Sequence, residues 1–238
     1  MSDLTGQDYL DDVDPEDYAD ICSFCAEIGR RRAHNLLLEL MPDLDPADFL
    51  LWETDEFVVV PGVGAVCDGY VVMSPKAHVL SFGHLHDGLD RQFDGLFHEV
   101  TGWLESRYGW PVMAFEHGAE SFRNRGGSCT DHAHLHMFPA DPVLDVVDVI
   151  RSDFGLRRVN RFLPAVREQV QQRHRPYLWL RGTGDDMWLC DAPKALSQYL
   201  RRVIVGQLGR PDEWDWAVFP GTDHMRRTMR RFHGWDAR

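Results

Sequence analysis

The sequence contains no run of about 20 apolar residues, the length a helix needs to cross a bilayer, so no membrane span is expected. Nor does it open with a basic and then apolar signal region. Met1 is followed by acidic and polar residues, and a cytoplasmic location is the expectation. Residues 1–20 hold no basic residue, only aspartates, Glu16 and a few others. A segment of one charge sign and few apolar groups cannot bury enough surface to fold, so it reads as a flexible acidic tail. Positive charge is scarce overall, with 25 Lys and Arg against 38 Asp and Glu and a formal net charge of −13. That excludes broad nucleic-acid binding by phosphate neutralisation, but not a small anionic ligand held by local donors. There is no clean repeat and no long linker. Cysteines number five, an odd count that includes the close pair Cys22 and Cys25. In a reducing compartment such a pair points to metal or redox chemistry, not to a structural disulfide.

What the sequence does have is a core and a histidine motif. Forty-four per cent hydrophobic content over 238 residues supports one large domain, or a domain with an extension. Residues 131–139 read Asp-His-Ala-His-Leu-His-Met-Phe-Pro. On a strand, His132, His134 and His136 share one face, about 6–7 Å apart, while Ala133, Leu135 and Met137 face a core. On a helix the same spacing scatters the imidazoles. Two histidines at i, i+2 can also share a catalytic zinc with one further ligand and a water. The Cys-x-x-Cys pair fits two corners of a tetrahedral zinc site; a redox pair would instead open a helix after a strand.

This motif, with the preceding Gly126-Gly127-Ser128-Cys129-Thr130 and Cys22-Ser23-Phe24-Cys25, resembles the histidine triad (HIT) superfamily over about residues 20–140. The resemblance implies an α+β fold with a five-stranded antiparallel sheet and helices in residues 21–140. Residues 141–238, beyond the resemblance, are expected to form an α/β extension, mostly helical with a hairpin. It implies a structural zinc on Cys22, Cys25, His78 of Ser74-Pro75-Lys76-Ala77-His78, and His132. It also implies a nucleotidyl hydrolase working at the α-phosphate of a dinucleoside polyphosphate, nucleoside phosphoramidate or adenylated acid. His134 is then the covalent nucleophile and His136 a donor to phosphate, with Ser128, Thr130 and Glu116 near the substrate. The transferase branch of the family carries glutamine where this chain has His136, which favours water as acceptor. A transferase or phosphorylase, and a zinc-stabilised nucleotide-binding protein without turnover, are the alternatives. The partner implied is a small nucleotide, with a homodimer as an option. The chain departs from the family at Gly62, where an acidic residue often holds the ribose, at Glu116, and at Ser128 and Cys129.

Periodicity predicts strands over 49–54, 57–61, 69–73, 112–116 and 132–138, and a helix over 88–108 stopped by Gly109 and Pro111. Beyond residue 140, helices are expected over 143–150, 156–172 and 197–208, and a hairpin over 177–181 and 187–190. The aromatics and arginines between Trp214 and Trp235 read as a core edge with a basic outer face, or as a nucleotide-binding surface.

Overall fold

The computed structural model describes residues 18–144, 146–184 and 186–234. Most of the acidic tail, residues 1–17, and Trp235 lie outside the described residues. The fold is α+β. Its helices are Ser23–Ile28 (α1), Leu36–Leu40 (α2), Asp90–Tyr108 (α3), Val146–Asp153 (α4), Phe162–Arg167 (α5), Tyr199–Gln207 (α6) and Thr222–His233 (α7). Its strands are Trp52–Glu53 (β1), Phe57–Pro61 (β2), Val71–Pro75 (β3), Val112–Gly118 (β4), Leu135–Pro139 (β5), Arg157–Val159 (β6), Tyr177–Arg181 (β7) and Met187–Asp191 (β8). Among the described residues no helix is long and apolar enough to cross a membrane.

The strands join in one sheet in the order β1-β2-β3-β5-β4-β7-β8-β6, and every neighbouring pair is antiparallel. The sheet thus has eight strands where five were expected. The additional three come from beyond residue 140, because β7 pairs directly with the outer edge of β4. The hairpin expected over 177–190 forms as β7 and β8. The helix expected over 156–172 does not run through. Leu156 is followed by the short strand β6, and the helix starts only at Phe162. Pro164 is the reason: proline lacks the N–H that an interior turn needs and is tolerated only in a helix's first turn, so α5 cannot begin much earlier. The first expected strand is likewise reduced to Trp52–Glu53. Asp45 caps a 3-10 turn over Pro46–Phe49, which buries Phe49 from a turn.

The sheet has two unlike faces. In antiparallel pairs, residues in register point the same way. Phe115 and Val72 both pair with His136, whereas Ala114 and Val71 both pair with Met137. The Met137 face is covered by α3, whose Phe93, Leu96, Val100 and Leu104 are buried at three- and four-residue spacing. Gly109 ends α3 in the left-handed region, as glycine does at helix ends. Phe93 sits at the centre of the contact, with ring centroids 6.0 Å from Phe57 and 5.2 Å from Phe162. Phe93→Ala should therefore cost about 3–5 kcal/mol, seen as a lower urea midpoint at unchanged slope. A loss below about 1 kcal/mol would show that the cluster repacks into the space.

Candidate active site and metal centre

The other face carries the histidines. The β5 ladder begins at Leu135, so His132 and His134 precede the paired part of the strand. Their segment is held extended by side chain and turn contacts instead. Ser74 Oγ donates to the Ala133 carbonyl at 2.7 Å, and the Ala133 N–H donates to the Val79 carbonyl at 2.7 Å. The alternation survives: His134 and His136 stand edge-to-face with ring centroids 4.9 Å apart.

Cys22, Cys25, His78 and His132 converge, with their ligand atoms all within 4.8 Å of one another. Cys22 Sγ and Cys25 Sγ each lie 3.5 Å from His132 Nδ1, and Cys25 Sγ lies 3.3 Å from His78 Nδ1. Ligands about 2.0–2.3 Å from a tetrahedral ion stand roughly 3.3–3.8 Å from each other, so these separations suit one metal ion. His132 Nε2 donates to the Pro75 carbonyl at 2.9 Å. That leaves Nδ1 with its lone pair toward the cluster, the usual way a backbone acceptor orients a ligating imidazole. His78 Nε2 is buried without a partner. A hydrogen bond from the Cys25 thiol holds Cys22 far below the ordinary thiol range, while the same contact holds Cys25 above it. One thiolate is thus favoured even before a cation arrives. These four residues could hold a metal.

The cysteine–histidine cluster adjoins the nucleophile candidate. His134 Nδ1 lies 2.7 Å from the main-chain carbonyl of His132. A carbonyl can only accept, so Nδ1 carries the hydrogen and Nε2 keeps its lone pair in the neutral ring. Burial lowers the pKa of His134 to about 4, which keeps the imidazole neutral near pH 7. Phe24 of α1 stacks beside both His132 and His134, at 5.4 and 5.5 Å. His136 lies flat on Phe115 at 4.5 Å, and its Nδ1 is 3.0 Å from the Tyr70 hydroxyl. The Tyr70 hydroxyl carries a proton that it can donate to that Nδ1. With Nδ1 accepting, His136 Nε2 carries a hydrogen that it can donate. Burial holds His136 well below its ordinary range.

The remaining residues singled out in the sequence separate. Thr130 joins the site: its Oγ1 is 3.1 Å from His134 Nδ1, and it lines a cavity with His134 and His136. Ser128 does not face that cavity; its hydroxyl donates to the Thr130 carbonyl at 2.9 Å and shapes the loop. The loop needs Gly127, with φ +83° and space so tight that a Cβ would stand 2.6 Å from the Leu196 carbonyl. Glu116 is on the opposite face from the histidines. Its carboxyl accepts from Tyr177 Oη and from the Phe82 N–H at 2.9 Å, and burial raises it to about 8. It therefore presents no carboxylate to the histidine cleft. Gly62 is bare for a local reason: a Cβ there would come 2.5 Å from the Tyr70 ring.

Several residues at the site were not found from the sequence. His117 follows Phe115 by two positions on β4 and shares the histidine face, lining a second cavity with His134 and His136. Its Nε2 accepts the Leu200 N–H at 3.1 Å, and burial lowers its pKa to about 3. The alternation Phe115-Glu116-His117 was the available signal, hidden by ending the expected strand at 116. Gln198 and Arg201 wall the same cavity from the C-terminal part of the chain, together with Trp216 of the aromatic stretch singled out in the sequence. Glu27 lines the first cavity, beside Phe24 and Thr130.

No family model matches the chain, and no curated protein matches it. Solved structures do. The chain is similar to a HIT family protein from Bacillus anthracis str. 'Ames Ancestor', at 16% identity and a TM-score of 0.39, over 50% of this chain and 73% of that one. It is similar to the NitFhit protein of C. elegans at 24% identity and a TM-score of 0.35, over 40% of this chain and 23% of that one. It is also similar to a hypothetical histidine triad nucleotide-binding protein from Sulfolobus tokodaii strain7, at 14% identity and a TM-score of 0.34, over 44% and 66%.

Proposed function

We propose that this chain hydrolyses a nucleotide conjugate, such as a dinucleoside polyphosphate or a nucleoside phosphoramidate, at its α-phosphate, with His134 as the covalent nucleophile. The observation that carries this reading is the His134 tautomer. Its Nδ1–H is spent on the His132 carbonyl, so the Nε2 lone pair is the reactive one in a ring that burial keeps neutral. Nε2 attacks phosphorus, the bond to the leaving group breaks, and the leaving group takes the electron pair and then a proton. Water next attacks the nucleotidyl-histidine, the phosphorus–nitrogen bond breaks, and a nucleoside monophosphate leaves with the imidazole neutral again. His136, with Tyr70 accepted at Nδ1, donates from Nε2 to a phosphate oxygen whose charge grows in the transition state. The Thr130 hydroxyl assists from the loop, which Ser128 braces; Glu116 acts from behind the sheet as a structural group.

In this reading the metal is a structural zinc on Cys22, Cys25, His78 and His132, closed to substrate and tying α1 to the histidine strand. Residues 21–140 carry the chemistry, and residues 141–238 supply a wall through Gln198, Arg201 and Trp216. Trp216→Ala should then change the ratio of kcat/KM between two leaving groups by about tenfold, at unchanged metal content. An unaltered ratio in a folded variant would remove the extension from substrate choice.

The test of the function itself is rapid-quench mass spectrometry after mixing with a panel of phosphoramidates and dinucleoside polyphosphates. A nucleotidyl mass on the 132–138 peptide, lost in acid and kept in alkali, is the expected result. Turnover with no adduct at any time, stopped at once by a chelator in protein that stays folded, would point to metal-run hydrolysis instead.

A further inference from the structure

His117 has no role in the chemistry above, yet it stands in the histidine cleft. Phe115 of β4 pairs with His136 of β5, and the same antiparallel register, carried two positions past the paired part, sets His117 across from His134. His117, His134 and His136 line one cavity. The His117 ring is 6% exposed and makes one hydrogen bond among the described residues: its Nε2 accepts the Leu200 N–H at 3.1 Å. Leu200 is the second residue of α6, where an N–H has no partner inside the helix and is free to donate outward. A backbone N–H can only donate, so in the neutral ring the hydrogen of His117 is on Nδ1. Burial, and after it the neighbouring His134, keeps the ring neutral. The two ring nitrogens point widely apart, so fixing Nε2 on α6 turns Nδ1–H away from that helix. An N–H in a cavity wall with no acceptor in the protein is the kind of polar group that fixes a ligand. Charge in this cavity is already committed. Arg201 is the cation of its lining, and its guanidinium donates to the carbonyls of Gly64, Glu213, Trp214 and Phe219. A phosphate bound here is left to neutral donors.

We infer that His117 is a further catalytic residue, whose Nδ1–H bonds an oxygen of the phosphoryl group being transferred. The inference rests on the phosphoryl-transfer reading of His134. His136 follows the nucleophile along β5, whereas His117 faces it from β4, so the two donors reach the phosphoryl group from different sides and hold different oxygens. His117 is a fixed donor and not a proton shuttle: its Nε2 is occupied by the Leu200 N–H and takes up no further proton. A donor set in place before the reaction strengthens its bond as negative charge grows on the phosphoryl oxygens. The C-terminal extension thereby enters the chemistry, because α6 decides which nitrogen of His117 carries the hydrogen.

Two conservative variants of the full, metal-loaded chain separate this role from a structural one. The glutamine amide reaches the Nε2 position, so His117→Gln keeps an acceptor for Leu200 and loses the donor in the cleft. The asparagine amide reaches the Nδ1 position, so His117→Asn keeps the donor and leaves the Leu200 N–H unmatched. With adenosine and guanosine 5′-phosphoramidates, His117→Gln should lower kcat/KM by about 10²-fold at an unchanged melting temperature. His117→Asn should melt several degrees lower and lose less than about tenfold in kcat/KM. The reverse pattern, or His117→Gln within about twofold of wild type, overturns the inference and leaves the His134 reading standing. A measurement on wild type needs no variant to fold: in protein labelled with nitrogen-15 at histidine, AMP or GMP should move the His117 Nδ1–H resonance downfield. A resonance unmoved by saturating AMP and GMP overturns the inference. No turnover of any nucleotide conjugate by wild type overturns both readings.

Discussion

His134→Asn is expected to lower turnover by about 10⁴-fold or more, the scale on which removing a covalent nucleophile acts. The fold and substrate affinity should change little. Asparagine's amide group approximates the imidazole's Nδ1 side and can still donate to the His132 carbonyl that His134 meets at 2.7 Å. It has no lone pair where Nε2 was. His136→Asn has a different signature. His136 touches Tyr70 through Nδ1 and Phe115 through its ring face, so its loss removes a donor to phosphate without removing the nucleophile. The adduct should then build up if His136 chiefly assists the water step. Stopped reactions of wild type and both variants, read as adduct mass against time, separate these roles. Full activity in His134→Asn would end the covalent reading.

The second large effect concerns the metal. Cys22→Ser should reduce bound zinc from one per chain to near none, because serine is a poor zinc ligand and three ligands hold the ion weakly. Melting should fall by about 10 °C or more, since one kcal/mol is worth about 2–4 °C at this size and metal binding is coupled to folding. Activity should fall too, by a route visible in the geometry. His132 offers its ring to the cluster and its main-chain carbonyl to His134. A displaced His132 therefore takes the nucleophile's hydrogen-bond partner with it. Loss of activity on chelation should track loss of thermal stability, not precede it. Elemental analysis that finds no zinc in protein purified without chelator would dismiss the site.

The parts of the site that were legible in the sequence are those fixed by short-range spacing. His132, His134 and His136 alternate, and Cys22 and Cys25 are separated by two residues; such patterns translate directly into a shared face or a shared ion. That His78 joins the cluster followed from a resemblance and not from spacing, and the geometry brings it within 3.3 Å of Cys25. What stayed hidden depends on pairing over long separations or on where a strand ends. Glu116 was expected near the substrate, but register puts it on the helix-covered face, and the neighbouring His117 takes the cleft instead. Gln198 and Arg201 line a cavity with the histidines across many residues that carry no local signal of it. The additional strands were partly readable: the β7–β8 hairpin follows from Gly182 and Gly184 between its two runs, but nothing local says that β7 will dock on β4. Glu27 carries no motif of its own in the sequence; its burial at 4% exposure, not its identity, sets it apart.

The docking of β7 on β4 has a consequence for how this chain meets copies of itself. A strand with an unpaired side is a template for another chain, and a sheet ending at β4 would offer seven residues of free backbone there. Here the chain fills that side with its own β7, and the sheet continues through β8 to β6. Its two termini are then β1, two residues long, and β6, three residues long. Neither gives a partner enough hydrogen bonds to extend the sheet. Self-association by edge pairing is closed off, and a dimer, if one forms, has to be built from side chains and helices.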